Sequence, residues 1–275
     1  DVRLANPPLT KIEEAAIEPG QTWSGSYARL GVIGTNKATL EVSSLPPLNL
    51  EDRIDYLIRY PHGCIEQTTS AAFPQLHLDK VLDLSQDRKI EIEDNIRKAI
   101  EKIRDFQLAD GGLSYWPDYY SNYNAWGTNY AGHFMLEAEA EGYTLPVGFK
   151  KNWIRFQTSA ANSWSNDRNN YRYWYSSNQL TQAYRLYTLA LAGSPALGAM
   201  NRMKAISNLT TPAKWRLAAA YHLAGRTNIA KQLIADTRWR AEVYRELGYT
   251  YGSSTRDHAM VLETLVLMGD KLRAK

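Results

Sequence analysis

The chain has 275 residues, 44% of them apolar and 22% charged, with a net charge of +3. That is enough for one large core with a small appendage, and the weakly basic balance does not call for nucleic acid. No apolar run is long enough to span a bilayer, and a single cysteine, Cys64, excludes an internal disulfide framework or a cysteine-rich metal site.

Residues 1–45 differ from the rest. Asn6-Pro7-Pro8 and Glu18-Pro19-Gly20-Gln21 are turn signals. Thr22 to Tyr27 and Ala38 to Val42 alternate like short strands. Two or three strands are marginal alone, so a β segment whose partner strands lie elsewhere is expected here. Leu45-Pro46-Pro47 marks a boundary, and residues 46–275 read as helices.

The first helix is expected over 50–60 and the second from Cys64 to about Leu82, interrupted near Pro74. A third over 86–106 has Ile92, Ile96, Ala99, Ile100 and Ile103 at helical spacing and a charged, solvated outer face. Seven more follow at about 127–142, 147–164, 177–193, 196–208, 211–224, 227–240 and 254–269. Thr211 is expected to cap its helix, with Pro212 at the first helical position. Gly142, Gly193, Gly225 and Gly269 stand where helices should stop. Strongly apolar helices alternate with more polar ones, which suggests repeated hairpins. The expected fold is all-α: an α/α toroid, apolar helices inside and amphipathic ones outside. Ten helices fall short of about six hairpins, so the last one or two are expected beyond Lys275.

The chemistry concentrates in Tyr60-Pro61-His62-Gly63-Cys64-Ile65-Glu66-Gln67-Thr68-Thr69-Ser70. A turn signal leading into Cys-x-x-Gln and an apolar run places Cys64 and Gln67 on the first turn of a helix. Residues three apart on a helix have Cβ atoms roughly 5–6 Å apart. A sulfur that close to a side-chain amide can attack its carbon, expel ammonia and close a thioester. The partial positive charge of a helix N-terminus favours an anionic sulfur.

Gly63-Cys64-Ile65-Glu66-Gln67 resembles the thioester motif of the α2-macroglobulin and complement family, and the longer run from Pro61 to Ser70 is closer to its bacterial branch. Ser44-Leu45-Pro46-Pro47-Leu48 ahead of the motif and the helices behind it agree with that resemblance. The resemblance implies that Cys64 supplies the sulfur, Gln67 the acyl carbon, and Gly63 and Glu66 support. It also implies an α/α-toroid thioester domain that interrupts a β-sandwich, a single-turnover covalent protease trap rather than an enzyme, and a periplasmic or outer-surface location. The implied partners are target proteases, captured through lysine amines, and neighbouring macroglobulin-type domains. No cofactor, metal, nucleic acid or membrane contact is expected of the chain.

Two aromatic loops interrupt the helices. Gln107 to Pro117 carries Gly111-Gly112 and resembles the interhelical turns of toroidal terpene cyclases and of the thioester domains; its continuation runs to Trp126. The second covers Trp164 to Ser177, with Tyr171, Tyr173, Trp174 and Tyr175. Framing of a site and packing of helix ends are both open for them. No Asp-rich ionisation motif accompanies the cyclase-like turn. His62, His77, His133, His222 and His258 have no zinc-ligand spacing and no clear general-base setting. Some complement members carry a histidine in the first loop that favours hydroxyl targets; Asp110 to Trp126 has none, so the resemblance implies amine attack. A toroidal scaffold, or an adhesion module with an inactive or host-directed thioester, is the alternative.

Overall fold

A computed structural model describes residues 9–40, 42, 54–117, 122–166, 179–237, 243–245 and 250–274. The Asn6-Pro7-Pro8 turn, the Leu45-Pro46-Pro47 boundary, the start of the first helix and most of the second aromatic loop lie outside them. The chain separates into two units, Asp1–Asn49 and Leu50–Lys275.

In the first unit the turn at Glu18 to Gln21 forms, closed by Gln21 N–H donating to the Glu18 carbonyl at 3.0 Å. Asn36 organises a second turn: its Oδ1 accepts from Leu30 N–H at 2.8 Å and its Nδ2 donates to the Val32 carbonyl at 3.0 Å. The strands expected at 22–27 and 38–42 do not form a ladder among the described residues. Strand backbone needs a neighbour to take its N–H and C=O groups, and none pairs with these stretches here. Trp23, Tyr27, Leu40 and Val42 are exposed.

The second unit is helical, as the periodicity predicts. Its elements are α1 (Ile54–Leu57), α2 (Ile65–Ala72), a 3₁₀ stretch (Phe73–Lys80), α3 (Gln86–Asp105), α4 (Ala125–Ala140), α5 (Phe149–Ser163), α6 (Gln179–Leu191), α7 (Leu197–Lys204), α8 (Thr211–Leu223), α9 (Thr227–Ile234), α10 (Ser254–Leu267) and α11 (Lys271–Ala274). Pro74 lacks the N–H for another α-turn, so the chain tightens to 3₁₀ after Ala72. Ser85 caps α3, accepting from Arg88 N–H at 3.4 Å, and Glu93–Arg97 and Asp94–Lys98 pairs line its wet face. The α8 cap is Thr210, one residue earlier than expected, which makes Pro212 the second helical residue. The four stop glycines all have positive φ, as left-handed helix ends require.

The alternation of apolar and polar helices becomes two layers. α6 is buried along its length from Gln179 to Ala190, and α8 from Trp215 to Tyr221. α5, by contrast, buries Phe149, Trp153, Gln157 and Ala161, a single stripe at four-residue spacing. The inner helices pack in sequence, α2 on α4, α4 on α6, α6 on α8 and α8 on α10. The outer ones back them: α3 lies on α2, α5 and α7 on α6, and α9 on α8. This is the α/α toroid, with α2 at one end of the inner arc and α10 at the other.

The inner layer also holds charge. From α10, Glu263 Oε2 meets Arg216 Nη2 of α8 at 2.7 Å, while its Oε1 accepts from the Tyr187 hydroxyl of α6 at 2.7 Å. His133 of α4 shares a hydrogen bond at 2.9 Å with the Tyr184 hydroxyl and places Nε2 3.6 Å from Glu137 and 3.9 Å from Glu263. Four inner helices are thus tied by one polar cluster. Arg216 lies over the Tyr187 ring at 4.4 Å.

Candidate thioester site

Gly63 fixes the entry to α2. Its φ of +95° suits only glycine, and a Cβ there would lie 2.1 Å from Gln67 Oε1 and 2.9 Å from its Cδ. Cys64 follows as the N-cap in extended conformation and is 2% exposed. Gln67, at the third helical position, folds back so that Oε1 accepts from Cys64 N–H at 3.1 Å. In the reciprocal half of this capping box the Cys64 side chain faces the Gln67 N–H. Both side chains therefore share the first turn of α2, each folded back on the other's backbone N–H. Gln67 is exposed whereas Cys64 is buried, so the amide carbon faces the solvent side and the sulfur the core side.

Glu66 does not join the pair. Its carboxylate accepts from the Ser70 hydroxyl at 3.0 Å, and Ser70 also reaches the Tyr130 hydroxyl of α4 at 3.4 Å. Burial raises the Tyr130 hydroxyl above its ordinary pKa; the Ser70 bond opposes this and the Glu66 charge adds to it. Glu66 thus ties the thiol-bearing turn to the next inner helix, near the helix N-terminus where a negative charge is favoured.

The Gly-Gly turn comes to the same place. Leu108 N–H donates to the Gly112 carbonyl at 2.8 Å, and Gln107 pairs with Leu113 in a β-bridge. Thr128 Oγ1 of α4 accepts from Leu113 N–H at 3.0 Å. The turn therefore packs on a helix end and also delivers Tyr115 to the site: the Tyr115 carbonyl accepts from Ile65 N–H at 3.1 Å. Its hydroxyl neighbours the Cys64 thiol and lies 2.6 Å from the Tyr251 hydroxyl. Burial first, then those two neighbours, hold the Tyr115 hydroxyl far above its ordinary pKa. The sequence singled out the Gly-Gly turn but nothing in it pointed to Tyr251, which approaches from just ahead of α10.

The histidines are dispersed. His62 is exposed and stacks near Tyr60, with ring centroids 6.3 Å apart. His133 belongs to the inner polar cluster, His77 lies 4.0 Å from Glu141, and His222 meets Thr227 at 3.1 Å. Among the described residues no three metal-binding side chains stand together, and no helix is long and apolar enough to cross a membrane.

Known proteins resemble the chain in sequence and fold. Residues 37–145 match the A-macroglobulin TED domain. Alpha-2-macroglobulin of Escherichia coli strain K12 is 28% identical over 284 residues, covering 96% of this chain and 17% of that protein. Alpha-2-macroglobulin of Rickettsia conorii is 27% identical over 167 residues, covering 58% of this chain and 9% of that protein. The chain spans less than a fifth of the length of these relatives. Among solved structures, Salmonella alpha-2-macroglobulin reacted with methylamine superposes with a TM-score of 0.67 at 24% identity, covering 83% of this chain and 16% of that one. The native E. coli protein from domain MG7 to the C-terminus gives 0.63 at 23% identity, covering 82% of this chain and 38% of that one. At these identities the two structures speak for the fold. The chain is thus similar to the bacterial alpha-2-macroglobulins, with Cys64 and Gln67 inside the stretch that matches the A-macroglobulin TED domain.

Proposed function

We propose that Cys64 and Gln67 form an internal thioester and that the chain is the trapping part of a protease inhibitor of alpha-2-macroglobulin type. The observation that carries this reading is the Cys64–Gln67 pair itself, folded together under a glycine whose missing side chain leaves room for the amide. Closure joins Cys64 Sγ to Gln67 Cδ and releases ammonia. A lysine amine of an attacking protease then adds to Gln67 Cδ, the C–S bond breaks, and its electron pair leaves with sulfur. The Cys64 N–H that holds Gln67 Oε1 is a ready donor for the oxygen charge that builds up at that carbon. The reaction runs once per molecule, so this is capture and not turnover. In this reading residues 1–45 belong to a β-sandwich of the same protein, neighbouring macroglobulin-type domains cover the exposed Gln67 side until proteolysis moves them, and the setting is periplasmic or outer-surface.

The test is an intact mass of the freshly purified full-length protein with thiol counting, before and after methylamine, a reagent suited by its reaction with the Salmonella relative. The expected result is a mass one ammonia below the sequence value, no free thiol, and release of one thiol with methylamine uptake. Cys64→Ser is expected to remove the uptake entirely. An unmodified mass with a free thiol from the outset would overturn the trap in favour of a scaffold. Because the loop from Asp110 to Trp126 holds no histidine, methylamine is expected to outcompete glycerol in mixed labelling. Preferential glycerol uptake would sink that expectation.

A further inference from the structure

We propose that the Tyr115 hydroxyl, steadied by Tyr251, is the hydrogen-bond donor that receives the Cys64 thiolate as the thioester opens. The inference rests on the thioester reading and adds the residues that serve its leaving group. When an amine attacks Gln67 Cδ, the carbonyl oxygen has its donor in Cys64 N–H. The sulfur needs one of its own, because it leaves as an anion into a place that is 2% exposed. Water cannot solvate it freely there, and an unpaired buried charge is costly. Tyr115 meets the need by position: its carbonyl accepts from the Ile65 N–H next to Cys64 at 3.1 Å, its hydroxyl is anchored 2.6 Å from that of Tyr251, and that hydroxyl neighbours the thiol.

A phenol has an ordinary pKa of about 10 and a thiol about 8.5, so the tyrosine does not give its proton up to the departing sulfur. Tyr115 therefore acts as a donor and not as an acid. The proton to be disposed of is that of the attacking amine, which passes to water or to a second amine. Burial and its hydrogen bonds push the Tyr115 hydroxyl further up, so the donor stays intact across the whole neutral and mildly basic range.

Tyr251 aims it. With its hydroxyl 2.6 Å from that of Tyr115, it donates its own hydrogen to the Tyr115 oxygen and leaves the single Tyr115 hydrogen free for sulfur. Its φ of +49° makes it the one non-glycine residue with positive φ among the described residues. A bulky side chain held in that region marks a conformation imposed by its surroundings. Those surroundings are visible: Arg256 Nη1 donates to the Thr250 carbonyl at 2.7 Å and stacks on Trp126 at 4.8 Å, and Ser254 N–H donates to the Tyr244 carbonyl at 3.2 Å. Tyr251 is a positioning residue on a bolted loop.

The test measures the rate of thiol release by methylamine in the full-length protein and its Tyr115→Phe and Tyr251→Phe variants. Both keep the ring and lose only a hydroxyl. Tyr115→Phe is expected to slow release roughly tenfold, the factor for losing a hydrogen bond to a charged group. The defect should stay constant over about pH 6 to 9, where the donor keeps its proton. Tyr251→Phe is expected to slow it a few-fold. Each of the three proteins should start one ammonia below the mass of its own sequence. Equal or faster release in Tyr115→Phe, or a defect that disappears at one end of the pH range, would overturn the donor role alone. A wild-type protein with no methylamine-dependent thiol would overturn the trapping function and this inference with it.

Discussion

Gly63→Ala is expected to abolish thioester formation while leaving the fold in place. Two effects act at this position, and they differ in what they damage. The left-handed backbone at φ +95° costs an alanine about 1–2 kcal/mol, which a domain of this size tolerates. The new Cβ also occupies the space of Gln67 Oε1, 2.1 Å away. That oxygen sits at the end of a flexible side chain on an exposed residue, so it swings clear at little cost in stability. Swinging clear breaks its hydrogen bond to Cys64 N–H and carries Cδ away from the sulfur. The chemistry is lost where the structure is not. The measurement pairs a thermal melt with the methylamine assay: a modest drop in Tm with an unmodified mass and a free thiol is expected. Wild-type methylamine-dependent release from Gly63→Ala would show that the capping pair is not the reacting pair.

Glu263→Gln is expected to be the most damaging substitution in the inner polar cluster, at about 2–4 kcal/mol. Arg216 is 1% exposed, and its Nε and Nη1 are buried without partners among the described residues. Among the described residues its one ion pair runs through Nη2 to Glu263. Breaking a fully buried pair typically costs 3–5 kcal/mol because one charge is stranded. The Glu263 side chain keeps 35% of its surface in solvent, which lowers the figure. A fall in Tm of roughly 5–15 °C is expected, and a change of under about 0.5 kcal/mol in chemical denaturation would refute the argument. The pH dependence has a definite sign. Burial pushes the Glu263 carboxyl up, but Arg216 and His133, with bonds from Tyr187 and Arg216, outweigh it and leave the pKa lowered. Glu137 is lowered too, chiefly by its bond to His133. Carboxyls lowered on folding stabilise the protein above their unfolded value, about 4.3. That contribution is lost as pH falls through the lower folded values. Wild-type stability should therefore drop in that acid range, and that of Glu263→Gln should drop less.

What the sequence could and could not reveal follows from the distance over which each feature is decided. The pairing of Cys64 with Gln67 is decided within one helical turn, so spacing and the preceding glycine sufficed. The helices are decided by periodicity and stop glycines over ten to twenty residues, and the two-layer ring follows from the alternation of helices like α6 with helices like α5. The strands at 22–27 and 38–42 depend on a neighbour, and alternation alone cannot provide one. Arg216 lies in Ala213-Lys214-Trp215-Arg216, where nothing local distinguishes the lysine left partly exposed from the arginine drawn inside; the partner that decides is on α10. Tyr251 is equally silent, because its meaning comes from Tyr115.

That last contact spans 136 residues of chain, and it sets an order of events during synthesis. A ribosome adds about 5–20 residues each second. The hairpin bearing the Gly-Gly turn is therefore made roughly ten seconds before the segment that closes on it. During that interval Cys64 and Gln67 already share a helical turn, but the Tyr115 hydroxyl lacks its Tyr251 partner from the far end of the arc. If Cys64 and Gln67 form the proposed thioester, its surroundings are complete only once the segment just ahead of α10 has been made and folded.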